Sequence, residues 1–330
     1  MTRHRYLAAG AAAMVLLTAA CSSSNTASSS SSGGTKKNGP YKIAFVQGVA
    51  GDAFYITMQC AIQAEAKTVN ATVNVQGPQK FDPTLQTPIV QSVVSTKPDA
   101  LLIAPTDVSA MQQPIAQAQK AGIKVVLVDT TLKDPSVAVS AISSDNLGGG
   151  KAAFDAIKQL VPGGGKVLLV SVQPGISTTD DRAKGFQQAA AADSTFKDLG
   201  IQYDQDDPQK AAQIVSAALQ KDPDIVGIFA TNLFSAEGAA TGIRQAGKQN
   251  QVKIVGFDAG PDQVKALKDG TVQALVAQQP GTIGKDGVDQ AIASLKGDTV
   301  TANIKTEFTI LTKDNIDSAD GQAAVYKSSC

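Results

Sequence analysis

Short apolar runs rich in β-branched residues alternate with amphipathic stretches along nearly the whole chain. That alternation restricts the possible fold more than any other feature of the sequence. From Tyr41 onward the runs are Ile43–Val46, Thr72–Val75, Ala100–Ile103 and Lys124–Val128. Between them Ala53–Val69, Leu85–Thr96 and Val108–Ala121 carry apolar residues at three- and four-residue spacing, the period of a helix with one buried face. Strands that are apolar almost throughout and separated by helices predict a parallel sheet covered on both faces. Ile142–Asn146 interrupts the rhythm, and Asp145 is placed to cap a helix running through Leu160. The rhythm restarts after Pro162-Gly163-Gly164-Gly165. Strands are expected at Lys166–Ser171, Gly200–Tyr203, Ile225–Phe229 and Val252–Phe257, and helices near Asp181–Ala192, Pro208–Gln220, Ser235–Ala246 and Pro261–Asp269. The chain thus reads as two similar α/β halves. A further strand at Val272–Ala277, a helix at Ile283–Lys296 and a last strand at Thr306–Ile310 suggest a return to complete the first domain. Two doubly wound parallel-sheet α/β domains joined by several crossings form a hinge, and a hinge leaves a cleft.

The N-terminus predicts an extracytoplasmic location. Arg3, His4 and Arg5 precede an apolar run, Tyr6–Ala20, of 15 residues. A membrane span needs about 20 such residues, whereas a signal-peptide core is shorter. Thr18-Ala19-Ala20-Cys21 resembles a lipobox, in which Cys21 would take the lipid. The alternative is an ordinary secretory signal with an incidental cysteine. Ser22–Gly39 is almost wholly Ser, Gly, Asn, Thr and Lys, a composition that predicts a flexible tether with an rms span of about 20–25 Å.

Composition removes several function classes. The only arginines are Arg3, Arg5, Arg182 and Arg244, so a nucleic-acid interface lacks the side chains it needs. His4 is the only histidine and leaves with the signal, which excludes histidine-based triads and the common zinc sites. No metal or cofactor is implied: Gly148–Gly150 and Gly163–Gly165 lack the spacing of a phosphate-binding loop, and the Asp204–Asp207 and Asp314–Asp320 clusters lack that of a calcium loop. Cys60 and Cys330 remain in an oxidising compartment, and a disulfide tying the tail to an early helix is expected, the alternative being two free thiols.

In open parallel sheets ligands bind beyond the carboxyl ends of the strands. That rule selects Gln47–Asp52 with Phe54 and Tyr55, then Asp129 and Thr130, Thr231 and Asn232, Asp258, and Gln278, with Arg182 at the start of the helix after Ser171. Any one Asp or Asn there can be merely a helix cap. Together they suit a neutral polyhydroxy ligand: carboxylates and amides accept from hydroxyls, a guanidinium donates, and aromatic faces cover C–H surfaces. Phe257 reads as core and Arg244 as a solvated surface charge. A hydrolase using paired aspartates stays open on spacing alone.

Five segments carry a family resemblance: Ile103-Ala104-Pro105-Thr106-Asp107, Ser144-Asp145-Asn146, Arg182-Ala183-Lys184-Gly185-Phe186, Val255-Gly256-Phe257-Asp258 and Ala277-Gln278-Gln279-Pro280. In order and spacing they resemble the sugar-binding components of ABC importers, of the ribose-binding type, over nearly all of Tyr41 to Asp314. The resemblance implies a type I periplasmic-binding-protein fold with crossings near Ser144, Gln279 and Glu307. The N-terminal domain would then take 41–143 plus 280–307 and the C-terminal domain 144–279 plus 308–330, behind a signal (1–20) and a lipidated tether (21–40). It implies a monomeric receptor that closes on a sugar or polyol and presents it to a permease with its ATPase. The alternative partner is a membrane sensor. By position it makes Arg182, Asn232, Asp258, Gln278 and Asp129 polar contacts, and Phe54 and Tyr55 stacking aromatics. It also marks departures: Asp52 for an asparagine, Thr130 for a second arginine, Asp206 for an aromatic and Gly48 for a serine. Those changes weaken the case for ribose itself and make another pentose, a hexose, a cyclitol or a linear polyol at least equal candidates.

Overall fold

The computed structural model describes residues 39–330; the expected signal, Cys21 and the expected tether up to residue 38 lie outside the described residues. Two six-stranded sheets dominate. The first runs β11 (Asn303–Thr306), β5 (Ser140–Ser144), β4 (Lys124–Val128), β3 (Ala100–Ile103), β1 (Tyr41–Val46), β2 (Ala71–Gln76), and every neighbouring pair is parallel. The second runs β12 (Thr309–Thr312), β10 (Ala274–Ala277), β9 (Lys253–Phe257), β8 (Ile225–Ala230), β6 (Gly165–Ser171), β7 (Phe196–Tyr203). Only β12 is antiparallel to its neighbour. Central strands such as β3, Ala-Leu-Leu-Ile, are buried at every position, because helices cover both faces.

The first sheet is flanked by α1 (Ala53–Thr68), α2 (Pro83–Thr96), α3 (Gln112–Lys120) and α9 (Pro280–Lys296). The second carries α4 (Asn146–Leu160), α5 (Ser177–Ala191), α6 (Pro208–Lys221), α7 (Leu233–Gln245) and α8 (Pro261–Asp269). Aspartates start several of these helices by accepting from free backbone N–H groups: Asp82 from Thr84, Asp145 from Gly148, Asp207 from Gln209 and Lys210. The chain crosses between the lobes three times, after β5, after β10, and between β11 and β12.

The structure corrects the expected elements at the crossings. Ser140–Ser144 is a strand of the first sheet, where the sequence showed only an interruption. The single strand expected at Thr306–Ile310 is two strands in different sheets, β11 ending at Thr306 and β12 starting at Thr309. A crossing of two residues is too short to break an apolar pattern, so the pattern runs through it. The α9 helix starts at Pro280, three residues before its expected start, since proline's fixed φ suits a first turn. Elsewhere β10 begins at Ala274 and β7 at Phe196.

Candidate functional site

Both sheets point the carboxyl ends of their strands at the gap between the lobes. A cavity of about 390 Å³, partly continuous with solvent, lies there. Nine of the ten residues expected there line it: Asp52, Phe54, Tyr55, Asp129, Arg182, Asp206, Asn232, Asp258 and Gln278. Thr130 does not. Its hydroxyl donates to the Pro105 carbonyl at 2.8 Å, and the side chain is buried in the first lobe, away from the cavity. A β-strand end turns one residue inward, and Asp129 takes that position. Three of the cavity aspartates, Asp129, Asp206 and Asp258, have left-handed backbone with φ of 66°, 61° and 79°. Such conformations are costly for residues other than glycine and cluster at functional sites.

The polar groups are held by hydrogen bonds within the protein. Arg182 is 3% exposed. Its Nε donates to Asn146 Oδ1 at 2.8 Å and one terminal nitrogen to the Thr231 carbonyl at 2.8 Å, while the guanidinium lies 3.7 Å over the Phe257 ring. Phe257 thus combines its expected core role with a cation–π contact. Tyr55 donates to Asp129 Oδ2 at 2.6 Å. Asn232 caps α7 through Ser235 N and donates to Asp206 at 2.6 Å. Gln278 donates to Asp258 at 2.6 Å and accepts from Ser144 at the first crossing, 2.8 Å away. Asp52 caps α1, accepting from Phe54 N at 2.7 Å.

Val49 falls within the Gln47–Asp52 segment that the strand-end rule selects, but sequence reasoning missed Phe81, Val172, Ile176, Thr178 and Thr179 on the lining. Phe81 stands past the end of β2 and just before the α2 cap Asp82, so the strand-end rule could have found it. Its ring also explains Gly48: a Cβ there would overlap Phe81 and the Tyr55 hydroxyl. Sequence reasoning also missed Tyr326, whose hydroxyl donates to Asp258 at 3.1 Å and accepts from Gln278 N at 2.8 Å. No local signal marks it.

The lobes touch over the cavity. Val108 N donates to the Gly175 carbonyl at 3.0 Å, Thr131 N to Ser177 Oγ at 2.9 Å, and Gln173 Nε2 to the Phe81 carbonyl at 3.2 Å. Each pair spans the two lobes, so this is a closed form.

Against this geometry, the model of the periplasmic binding protein domain matches residues 43–299. The chain belongs to the periplasmic binding protein family. It is 35% identical over 241 residues to the ribose import binding protein of Salmonella typhimurium, covering 73% of this chain and 80% of that protein. Among solved structures it resembles an ABC transporter solute-binding protein from Agrobacterium vitis bound with α-D-tagatopyranose. That match has a TM-score of 0.85 and 37% identity, over 87% of this chain and 99% of the other. A second Agrobacterium vitis solute-binding protein, with bound D-fucose, matches with a TM-score of 0.83 and 30% identity, over 86% and 100%. The family is one of extracytoplasmic solute receptors, not enzymes, so the paired-aspartate hydrolase is set aside.

Electrostatics in this binding protein's cleft are lopsided: four aspartates share one arginine. Burial is the leading cause of a raised carboxyl pKa at all four. Asp129 rises to about 6 despite Arg182 and the Tyr55 hydroxyl, both of which favour its charge. Asp206 also rises to about 6, with Asn232 opposing. Asp52 is pushed well up, by burial first and then by the charge of Asp258. Among the described residues no cluster of His, Cys, Asp or Glu is arranged to hold a metal ion. What the set can do is accept several hydrogen bonds at once from a ligand rich in hydroxyls.

Proposed function

We propose that this chain is the receptor of an ABC importer for a neutral monosaccharide or a polyol of similar size. The observation that carries the reading is the closed cleft itself, in which four carboxylates, one guanidinium and two amides surround a space walled by Phe54, Tyr55 and Phe81. Sugar hydroxyls are donors as well as acceptors, so they suit carboxylates that have more accepting capacity than the protein fills. Apolar ring faces suit the C–H surfaces of a pyranose. An acidic sugar would meet four carboxylates against one cation. The similar proteins named above take ribose, tagatose and fucose, all small neutral sugars.

Neither lobe alone holds the full donor and acceptor set: Asp52, Phe54, Tyr55 and Asp129 come from the first, and Arg182, Asp206, Asn232 and Asp258 from the second. A ligand therefore binds the closed form better than the open one and shifts the population toward it. Closure brings the two lips together, and the permease would read that matched surface. Anchorage through Cys21 and a monomeric body belong to the same proposal. The test is a thermal-shift screen of the purified protein against pentoses, hexoses, cyclitols and sugar alcohols, with uronic acids as the acidic controls. A micromolar binder at millimolar concentration adds about 4 kcal/mol of apparent stability. A single clear hit among the neutral compounds is expected; no shift with any of them, or a hit confined to the uronic acids, refutes the assignment.

A further inference from the structure

The chain beyond β12 takes a path that the cleft does not require. It leaves the second sheet, forms the short helix α10 (Ala319–Ala323), and returns to the second lobe at Tyr326, whose N–H donates to the Ala259 carbonyl at 3.0 Å. Tyr326 is 4% exposed, its ring centroid 5.8 Å from that of Phe54, and its hydroxyl sits between Asp258 and the backbone of Gln278. Then the chain changes lobes. Lys327 N donates to Thr57 Oγ1 at 2.7 Å, and Cys330 is disulfide-bonded to Cys60; Thr57 and Cys60 both belong to α1 of the first lobe. The tail is thus a fourth link between the lobes, additional to the three hinge crossings. The tail touches the second crossing through Tyr326, whose hydroxyl accepts from Gln278 N at 2.8 Å, and a pocket lined by Thr57, Gln279, Pro280, Thr309 and Tyr326 lies beside it.

We propose that the carboxy-terminal tail is a strap that limits how far the cleft opens, with Tyr326 as its anchor on the second lobe and the Cys60–Cys330 bond as its anchor on the first. Tyr326 is in addition a positioning residue for Asp258 and Gln278, a role that rests on the sugar-cleft reading for its consequence. Four residue steps separate the two anchors. At ~3.3–3.6 Å per step, a taut strap allows its ends to part by about 13–14 Å at most. A narrower open state leaves a larger fraction of molecules closed, and apparent affinity scales with that fraction. Cys330 is exposed, so a reductant reaches the bond. The opening range of the receptor then depends on its redox state.

The experiment places a dye pair on two exposed helix positions, Gln91 on the first lobe and Gln220 on the second, through unnatural amino acids, and reads ligand-free energy-transfer distributions. Wild type before and after reduction, Cys330→Ser, Tyr326→Ala and the double variant are compared, with far-UV dichroism as the check on folding. The expected result is that reduction and each single variant broaden the distribution toward longer distances. The double variant adds nothing to Cys330→Ser, because a strap cut at its disulfide is already slack. With the sugar found in the screen, a tenfold fall in the closed fraction appears as about a tenfold rise in Kd. An unchanged distribution after reduction of the folded protein overturns the strap, whatever the sugar results. A broadened distribution in a protein that binds no sugar upholds the strap and refutes the sugar reading instead. For positioning, Tyr326→Phe keeps the ring and removes only the hydroxyl. The Asp258 carboxyl faces Arg182, Asp52, Asp129, Asp206 and Tyr326. Losing one donor should move its carboxyl-carbon NMR titration to higher pH in the ligand-free protein, and an unmoved titration overturns that half.

Discussion

Replacing Asp129 with asparagine should make the ligand-free protein more stable at neutral pH while weakening its hold on ligand. Asp129 is 5% exposed, and burial raises its pKa from 3.8 to about 6 even though Arg182 and Tyr55 favour the charged form. Because the folded value lies above the unfolded one, the folded protein prefers the neutral carboxyl. The stability associated with that proton is complete below pH 3.8 and is lost as pH rises through about 6. At 1.36 kcal/mol per pH unit, the gap between the two values makes the charged form cost about 3 kcal/mol at pH 7.5. Asparagine has the shape of the neutral acid and can still accept from the Tyr55 hydroxyl. Asp129→Asn should therefore stabilise the ligand-free protein by up to about 3 kcal/mol at pH 7.5, a gain that shrinks toward zero as pH falls to 4. Urea unfolding followed by far-UV dichroism across that range measures it; the chain has no tryptophan to report by fluorescence. A loss of stability at pH 7.5, or a gain that does not shrink toward acid, would refute the reasoning.

Arg182→Lys keeps the charge but loses the fork that reaches Asn146 and Thr231 together. Calorimetric affinity for the identified sugar should fall by ~1.5–3 kcal/mol, as for hydrogen bonds to charged groups. Thr130→Val removes the hydroxyl that donates to Pro105. It should cost about 1 kcal/mol of folding stability and leave Kd unchanged, a contrast that separates cavity residues from their neighbours. At Gly150 a Cβ would overlap the Arg182 carbonyl where α4 meets α5. Gly150→Ala should lower stability by ~1–3 kcal/mol in the same unfolding assay, and a neutral result would mean that α4 and α5 are not held as close as the structure has them.

The two-domain α/β architecture was legible because its signals are local. Helical spacing, apolar strand runs and aspartate caps act within a few residues, and apart from β5 and the β11–β12 crossing the strands of both sheets fall on those patterns. The strand-end rule carried over to the cavity for the same reason: it needs only the place where each apolar run stops. What stayed hidden lies where the pattern is continuous but the chain changes partners. Thr306–Ile310 reads as one strand, yet its two ends belong to two sheets, since two residues suffice to cross. Thr130 and Asp129 are adjacent and similar in the sequence. Which of them faces the cavity depends on the backbone turn after β4, and Asp129 takes the left-handed conformation there. Tyr326 meets Asp258 across 68 positions, whereas the Cys60–Cys330 bond, across 270, was expected from two cysteines left in an oxidising compartment. The sequence by itself determined the layers, the hinge and the chemical character of the cleft, because these follow from periodicity and residue type. Only the tertiary structure decided which side chains complete the cleft, Tyr326 among them, because those contacts join segments whose local patterns carry no trace of one another.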